Sequence, residues 1–296
     1  MKIHEDDGGA ITDRPKVGSH LSLTQLFYES TIKLIQRKTH GKSLLSKKNI
    51  IELINVSKTY TEDSGPSVGD ISLTIERGES LVFIGASGSG KTTILKMLNG
   101  LEEPTSGTIL INGEDIKTYN MNALRRSFFG YVFQKIGLFP HMTVKENIET
   151  VLRLDKKTPE FRQKRVNELL KFMHLNPDVY LDRYPDQLSG GEQQRVGVAR
   201  ALATDSECLL MDEPFGALDA VTRCELQDEI IKLNTELKKT IVFVTHDISE
   251  AFKLGHRIVV MRTGKIEQVG TKEELSHSPK TPFVKNLVKT GLRNQA

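Results

Sequence analysis

Cysteine is scarce in this 296-residue chain, long apolar runs are missing, and neither sign of charge dominates. Each shortage closes off a class of protein. Only Cys208 and Cys224 are present, without a C-x-x-C pair or His-rich metal spacing, so neither a disulfide nor a structural metal is expected. Cys208 sits in an apolar run and reads as a small core residue. No apolar stretch approaches the roughly 20 residues that span a bilayer. The start, Met1 to Gly9, is acidic and polar rather than a signal peptide, which predicts a cytoplasmic protein. With 41 Lys and Arg against 38 Asp and Glu, the net charge of +3 is too even for a dedicated nucleic-acid binder. No internal repeat or low-complexity tract occurs, and the length suits one large domain, or one domain with an extension.

What is present is organised around Leu81 to Gly100. An apolar strand breaks at Gly85, crosses Ala86-Ser87-Gly88-Ser89-Gly90 and enters an amphipathic helix at Lys91-Thr92-Thr93. The stretch matches the G-x-x-x-x-G-K-[ST] phosphate loop in residues and in context. Glycines let the backbone fold tightly enough to aim successive N–H groups inward, and the positive end of the helix lies beside them, so the loop predicts an anion cradle. Lys91 would reach the β- and γ-phosphates of a nucleotide, and the Thr92 hydroxyl would ligate Mg²⁺. The plain alternative is a glycine-rich turn with no ligand.

Along the chain, residues 1–49 differ in composition from the rest. Ser22 and Gln25 have capping-box spacing, and Leu23, Leu26, Phe27, Leu34 and Ile35 share one face, which predicts an amphipathic helix. That helix either packs on its own domain or is loosely attached, or it docks on a membrane surface or partner subunit. From Ile50 the pattern changes to strands. Ile50 to Val56, Ile71 to Ile75 and Thr108 to Ile111 read as an antiparallel β layer, and Tyr60 follows the first of them as an exposed aromatic able to stack on a base. Between Met121 and Ala203 the pattern becomes helical, with Thr158-Pro159 as a helix start. Inside it, Ser189-Gly190-Gly191 opens a helix and forms a second N-terminal anion site. Cys208 to Met211, ending in Asp212-Glu213, and Thr240 to Thr245, ending in His246, read as buried parallel strands with polar residues at the ends where open α/β sheets bind ligands. A hairpin, Arg257 to Met261 and Lys265 to Val269, leads into a polar C-terminal helix.

From about Ile50 to Val269 the chain resembles the ATP-binding subunit of ABC transporters. The resemblance rests on the loop Gly85 to Thr92, Gln134 after Val132-Phe133, Leu188 to Arg195, Asp212-Glu213, Leu218-Asp219 and His246. Taken singly, an Asp-Glu pair is a solvated loop, a His a packed imidazole and a Gln a surface residue; their order behind apolar strands reverses that reading. The resemblance implies an α/β fold with a P-loop NTPase (RecA-like) core, an antiparallel β subdomain and an inserted α-helical signature subdomain. The expected division is an extension over 1–49, an ATPase domain over 50–275 with the helical part about 138–207, and a C-terminal helix or tail over 276–296. ATP and Mg²⁺ are the implied cofactors: Thr92 and Gln134 would hold the metal with Asp212 ordering its shell, and Tyr60 would stack on adenine. Glu213 would be the general base, and Lys91, Gln134 and His246 would complete the catalytic set around the γ-phosphate. Ser189, Gly190, Gly191 and Asp219 would act in trans, closing on the phosphate loop of a second subunit in an ATP-gated dimer.

The segment Ile136 to His141 would carry that motion to a transmembrane permease on another polypeptide, placing the chain at the cytoplasmic face of the membrane with a solute-binding protein as an indirect partner. Ile136 to Thr143, Phe215 to Asp219 and Thr222-Arg223 look like importer ATPases, especially the quaternary-amine group serving glycine betaine, choline and carnitine. Ala220, where many importers have Pro, Glu192, where the subgroup often has Gln, and the N-terminal extension depart from that pattern. No room for paired regulatory domains is expected after the C-terminal helix. The alternatives are another importer for amino acids or oxyanions, an exporter or lipid transporter, and a soluble repair or translation ATPase. The last would need a coiled-coil insertion or a second cassette, and neither is seen.

Overall fold

The central strands, Ser80–Ile84, Cys208–Asp212 and Thr240–Thr245, are buried along their whole length on both faces, and this builds two cores around one sheet. The structure is a computed structural model describing residues 48–61, 65–134, 137–216 and 218–293. Its strands are β1 (Asn49–Lys58), β2 (Val68–Glu76), β3 (Ser80–Ile84), β4 (Ser106–Ile111), β5 (Glu114–Asp115), β6 (Phe129–Val132), β7 (Cys208–Asp212), β8 (Thr240–Thr245), β9 (Arg257–Arg262) and β10 (Lys265–Gly270). They form an antiparallel sheet in the order β2-β1-β4-β5 and a second sheet in the order β10-β9-β3-β8-β7-β6. In the second, β9, β3, β8, β7 and β6 are parallel, and β10 pairs antiparallel at one edge.

Successive side chains on a strand point to opposite faces. Val82, Ile84, Leu209, Met211, Ile241, Phe243, Ile258 and Val260 therefore enter one core, which the helices cover. Leu81, Phe83, Leu210, Val242, Val244, Val259 and Met261 enter the other, against the antiparallel sheet and the helix after β3. A sheet covered on both faces explains why these strands read as continuous apolar runs.

The helices are α1 (Lys91–Leu98), α2 (Met121–Ser127), α3 (Val144–Leu154), α4 (Pro159–Phe172), α5 (Pro177–Tyr180), α6 (Gly190–Ala201), α7 (Ala220–Thr235), α8 (Ile248–Leu254), α9 (Lys272–His277) and α10 (Pro282–Arg293). Most start on a side-chain cap. Thr143 and Ser189 make full capping boxes with Glu146 and Glu192, and Thr158 caps α4 ahead of Pro159 at its first position. Each such cap satisfies otherwise orphaned amides and contributes about 1 kcal/mol.

Two expectations need correcting and one lies out of view. Phe129–Val132, inside the stretch read as helical, is the strand β6, paired in parallel with β7 from Phe129 against Cys208 to Val132 against Met211. Four residues are too few to show a period, and their strand character comes from pairing with a segment far along the chain. Gly130 permits this, because a Cβ there would lie 2.3 Å from the Ala201 carbonyl at the end of α6. The C-terminal segment forms two helices rather than one polar helix, and Leu275, Val284 and Val288 are buried in the helix-covered core. The amphipathic helix expected over Leu21 to Lys38 falls outside the described residues.

Candidate active site

Because β3, β8 and β7 are parallel neighbours, their C-terminal ends open on the same edge of the sheet. The loop after β3 lies there, as the crevice rule for open α/β sheets expects. A Cβ on Gly85 would lie 2.3 Å from the Met261 carbonyl, so only glycine fits beneath the loop. Gly90, at φ 99°, would meet the Ser67 carbonyl at 2.4 Å. Ala86, Ser87 and Gly88 form the exposed rim, Ser89 is buried, and Thr92 and Thr93 open the first turn of α1 half-buried. The start of α1 leaves its first amides without helical partners, which suits an anion.

Lys91 is 5% exposed, and its ammonium donates to the Gly85 carbonyl at 2.8 Å and the Ala86 carbonyl at 2.9 Å. Burial lowers its pKa, and the charges of Glu213 and Asp212 oppose that shift. The Thr92 hydroxyl donates to Asp212 Oδ1 at 2.9 Å across the gap between α1 and β7. Asp212 is buried; burial raises its pKa, the Thr92 bond lowers it and the adjacent Glu213 raises it again. A hydroxyl and a buried carboxylate beside an anion cradle form a hard-oxygen pair of the kind Mg²⁺ takes next to phosphates, so these residues fit that ion.

Glu213 follows β7 at φ 46°, a left-handed conformation costing a non-glycine residue of order 1 kcal/mol. Its amide donates to the Val244 carbonyl at 3.0 Å, which ties the turn to the end of β8. Its carboxylate accepts from Gln134 Nε2 at 3.0 Å and lies 3.4 Å from His246 Nδ1. Folding thus joins Gln134, Glu213 and His246 from three separate loops, and sets Lys91, Thr92 and Asp212 beside them.

Supporting residues also emerge that motif reading passes over. The Thr245 hydroxyl donates to Glu250 at 2.5 Å and accepts from the Asp247 amide at 3.0 Å, fixing the turn that carries His246. The Asp247-x-x-Glu250 capping spacing is the sequence signal that finds this turn. Asn147 is fully buried: it accepts from the Phe139 amide and donates to the carbonyls of Phe139, Met142 and Thr143, clamping the loop beyond Gln134. Sequence alone carries no signal for that role, since an Asn on a helix is ordinarily exposed.

Tyr60 stands half exposed with the Lys58 ammonium 5.2 Å from its ring centroid. Ser189 and Gly190 are exposed, and a Cβ on Gly191 would lie 2.6 Å from Thr222 Cγ2, so the starts of α6 and α7 abut. Asp219 caps α7 by accepting from the amides of Val221 and Thr222, both at 3.1 Å. Among the described residues no hydrogen bond joins Ser189, Gly190, Gly191 or Asp219 to the Lys91–Glu213 group, so the fold presents two separate polar surfaces.

The chain is 52% identical over 239 residues to the glycine betaine/carnitine/choline transport ATP-binding protein OpuCA of Bacillus subtilis, an alignment covering 81% of this chain and 62% of that protein. It is 45% identical over 238 residues to the sulfate/thiosulfate import ATP-binding protein CysA of Synechococcus elongatus, covering 80% of this chain and 67% of that one. The chain thus spans a little under two thirds of the length of OpuCA. Among solved structures, a dimeric post-hydrolysis state of the ATP-binding cassette MJ0796 bound to ADP and Pi superposes with a TM-score of 0.69 at 37% identity, covering 75% of this chain and 98% of that one. The family model described as ABC transporter matches residues 68–216, half of the chain, and the protein belongs to the ABC transporter family as an ATP-binding cassette.

Proposed function

We propose that the chain is the ATP-binding and ATP-hydrolysing subunit of an ABC importer, energising uptake through a separate membrane permease, with a quaternary amine such as glycine betaine, choline or carnitine as the solute. The observation that carries this is the convergence of Lys91, Thr92, Asp212, Glu213, Gln134 and His246 at one sheet edge. The similarity to OpuCA supports the solute class.

In this reading ATP lies along Gly85 to Thr93, with its adenine on Tyr60. Lys91, now bonded to two loop carbonyls, turns its ammonium to the β- and γ-phosphates, a charge-assisted exchange favoured by its burial. Thr92, Gln134 and Asp212 would hold Mg²⁺, which would supply charge neutralisation at the phosphates. Glu213 takes the proton of the attacking water, and its carboxylate is oriented for that by Gln134 on one side and His246 on the other. His246 also donates to the γ-phosphoryl oxygens. Positioning supplies most of the rate, because phosphoryl transfer needs little covalent help from the protein.

Ser189, Gly190, Gly191 and Asp219 serve the nucleotide of a second copy, consistent with the exposure of Ser189, Gly190 and Asp219 and with the dimeric state of MJ0796. Phe133 and Phe139, both exposed, line with Tyr131, Gly137 and Arg200 a groove of about 260 Å³ beside the loop that Asn147 clamps. An exposed aromatic groove next to Gln134 suits a permease element that feels the state of the site. Among the described residues no helix is long and apolar enough to cross a membrane. In this reading the chain is a peripheral subunit on the cytoplasmic face, fed by a solute-binding protein. Its parts are the extension 1–49, the ATPase domain 50–275 and the C-terminal segment 276–296.

The similarity to the sulfate/thiosulfate protein supports a second reading, an oxyanion importer. One experiment separates them: ATP hydrolysis by the assembled transporter with its receptor, screened across betaine, choline, carnitine, proline, amino acids and oxyanions. Stimulation by a quaternary amine is expected. Stimulation by an oxyanion alone rejects the first reading for the second.

A further inference from the structure

The departure at Glu192 sets a physical problem. A carboxylate in the first turn of α6 is favourable for that helix, yet it offsets the positive helix end that must meet a phosphate. Glu192 is already engaged on both oxygens. Its Oε2 accepts from the Ser189 amide at 2.7 Å, and its Oε1 accepts a short hydrogen bond from the Tyr180 hydroxyl at the end of α5. The Glu192 amide donates to Ser189 Oγ at 3.3 Å, which leaves the Ser189 hydroxyl proton for an outside acceptor. The Arg183 guanidinium lies 4.7 Å from the Tyr180 ring centroid, adding positive charge on the same side.

The Tyr180 segment is itself anchored. Asn176 caps α5, the Val144 amide donates to the Arg183 carbonyl at 2.8 Å, and the Lys145 amide donates to the Leu181 carbonyl at 3.0 Å. The hydroxyl is thus presented from a braced turn rather than from a free loop. Gln193 and Arg195 secure the rest of the motif, donating to the carbonyls of Pro185 and Met173 at 2.9 and 3.0 Å.

We propose that Tyr180 is a positioning residue of the Ser189-Gly190-Gly191 site: its hydroxyl ties the Glu192 carboxylate back against α5 and away from the face that meets the nucleotide. This rests on the function proposed above. Burial pushes the Glu192 carboxyl up, but the bonds from Tyr180 and Ser189 outweigh it and hold the group below the usual carboxylate range. The Tyr180 phenol is pushed up chiefly by its bond to Glu192 and then by burial, so it stays a donor at neutral pH. An ionised Glu192 needs that donor. A neutral glutamine in its place would keep the bond to Ser189 without setting a negative charge near the phosphates.

The test uses the full chain in four forms: wild type, Tyr180→Phe, Glu192→Gln and both together. Three quantities are measured, namely the ATP concentration at half-maximal hydrolysis, the ADP affinity of the monomer and the melting temperature. Tyr180→Phe should raise the half-maximal ATP concentration about tenfold, the loss of one charge-assisted bond, when Glu192 is present. In the Glu192→Gln background the same substitution should change it by less than about twofold, with ADP affinity unaltered in every form. An equal loss in both backgrounds, no loss in either, or a shared fall in melting temperature that tracks the activity makes Tyr180 a packing residue and overturns the proposal. A wild-type chain that hydrolyses no ATP rejects the broader function and this role with it. Wild-type turnover with equal effects in the two backgrounds rejects the role of Tyr180 alone.

Discussion

The two polar surfaces of this protein are built differently. At the C-terminal ends of β3, β7 and β8, six side chains from four segments meet in one chain: Lys91 and Asp212 are buried, Thr92 bonds Asp212, and Gln134 and His246 both reach Glu213. At the starts of α6 and α7, Ser189 and Asp219 bond only to their own helices, and their outer faces are exposed. Tertiary folding completes the first within one chain and leaves the second displayed outward. A site that is half assembled and half displayed is what a reaction gated by association requires.

The largest effect that would sharpen this contrast is on turnover. Glu213→Gln keeps the shape of the cluster and removes the carboxylate proposed as the base, so ATP binding should persist while kcat falls at least about 100-fold. Undiminished turnover would take Glu213 out of that role. Next, Lys91→Ala removes an ammonium that a nucleotide's phosphates would engage, and ADP affinity should fall about 10- to 100-fold by equilibrium binding. Ser189→Ala probes the other surface. It should cost about 1 kcal/mol of stability through the lost cap and weaken ATP-driven dimerisation, while monomer ADP affinity stays at the wild-type value. A drop in monomer ADP affinity would break the separation of the two surfaces.

The smallest expected effect is on stability against pH. Asp212 has a folded-state pKa raised above its ordinary value by burial, so the folded chain binds that proton more tightly than the unfolded one. Ionising Asp212 therefore costs stability at neutral pH, and the cost disappears once pH falls below the ordinary carboxylate value. Asp212→Asn should raise the melting temperature at pH 7, and the gain should shrink as pH is lowered toward about 4. A gain that grows on acidification would show that the carboxylate is stabilising where it lies.

Much of the fold was legible where one segment carries its own signal. The loop Gly85 to Thr92, the caps Thr158 and Ser189, and the apolar runs ending in Asp212 and Thr245 all lie where the sequence reading puts them. The strand β6 was not legible, because four residues containing Gly130 have no period of their own. The C-terminal helices were misread as polar, because Val284 and Val288 form a narrow stripe whose burial depends on what packs beneath them. Candidate residues were found by motif, whereas their supports were not. Asn147 acts on backbone atoms and Tyr180 on a carboxylate brought near by folding, while Glu250 accepts from the Thr245 hydroxyl within its own turn.

By itself, then, the amino-acid order determined local matters: which segments turn, cap, alternate and cradle an anion, since these depend on neighbours within a few residues. Only the tertiary structure decided that Gln134 Nε2 and His246 Nδ1 would both reach the Glu213 carboxylate, and that Thr92 would bond Asp212 across 120 positions of sequence. Those contacts follow from the parallel order β3-β8-β7, which brings distant strand ends to one edge. Strand order is set by the packing of two cores on one sheet, a property of the whole chain that no single segment encodes.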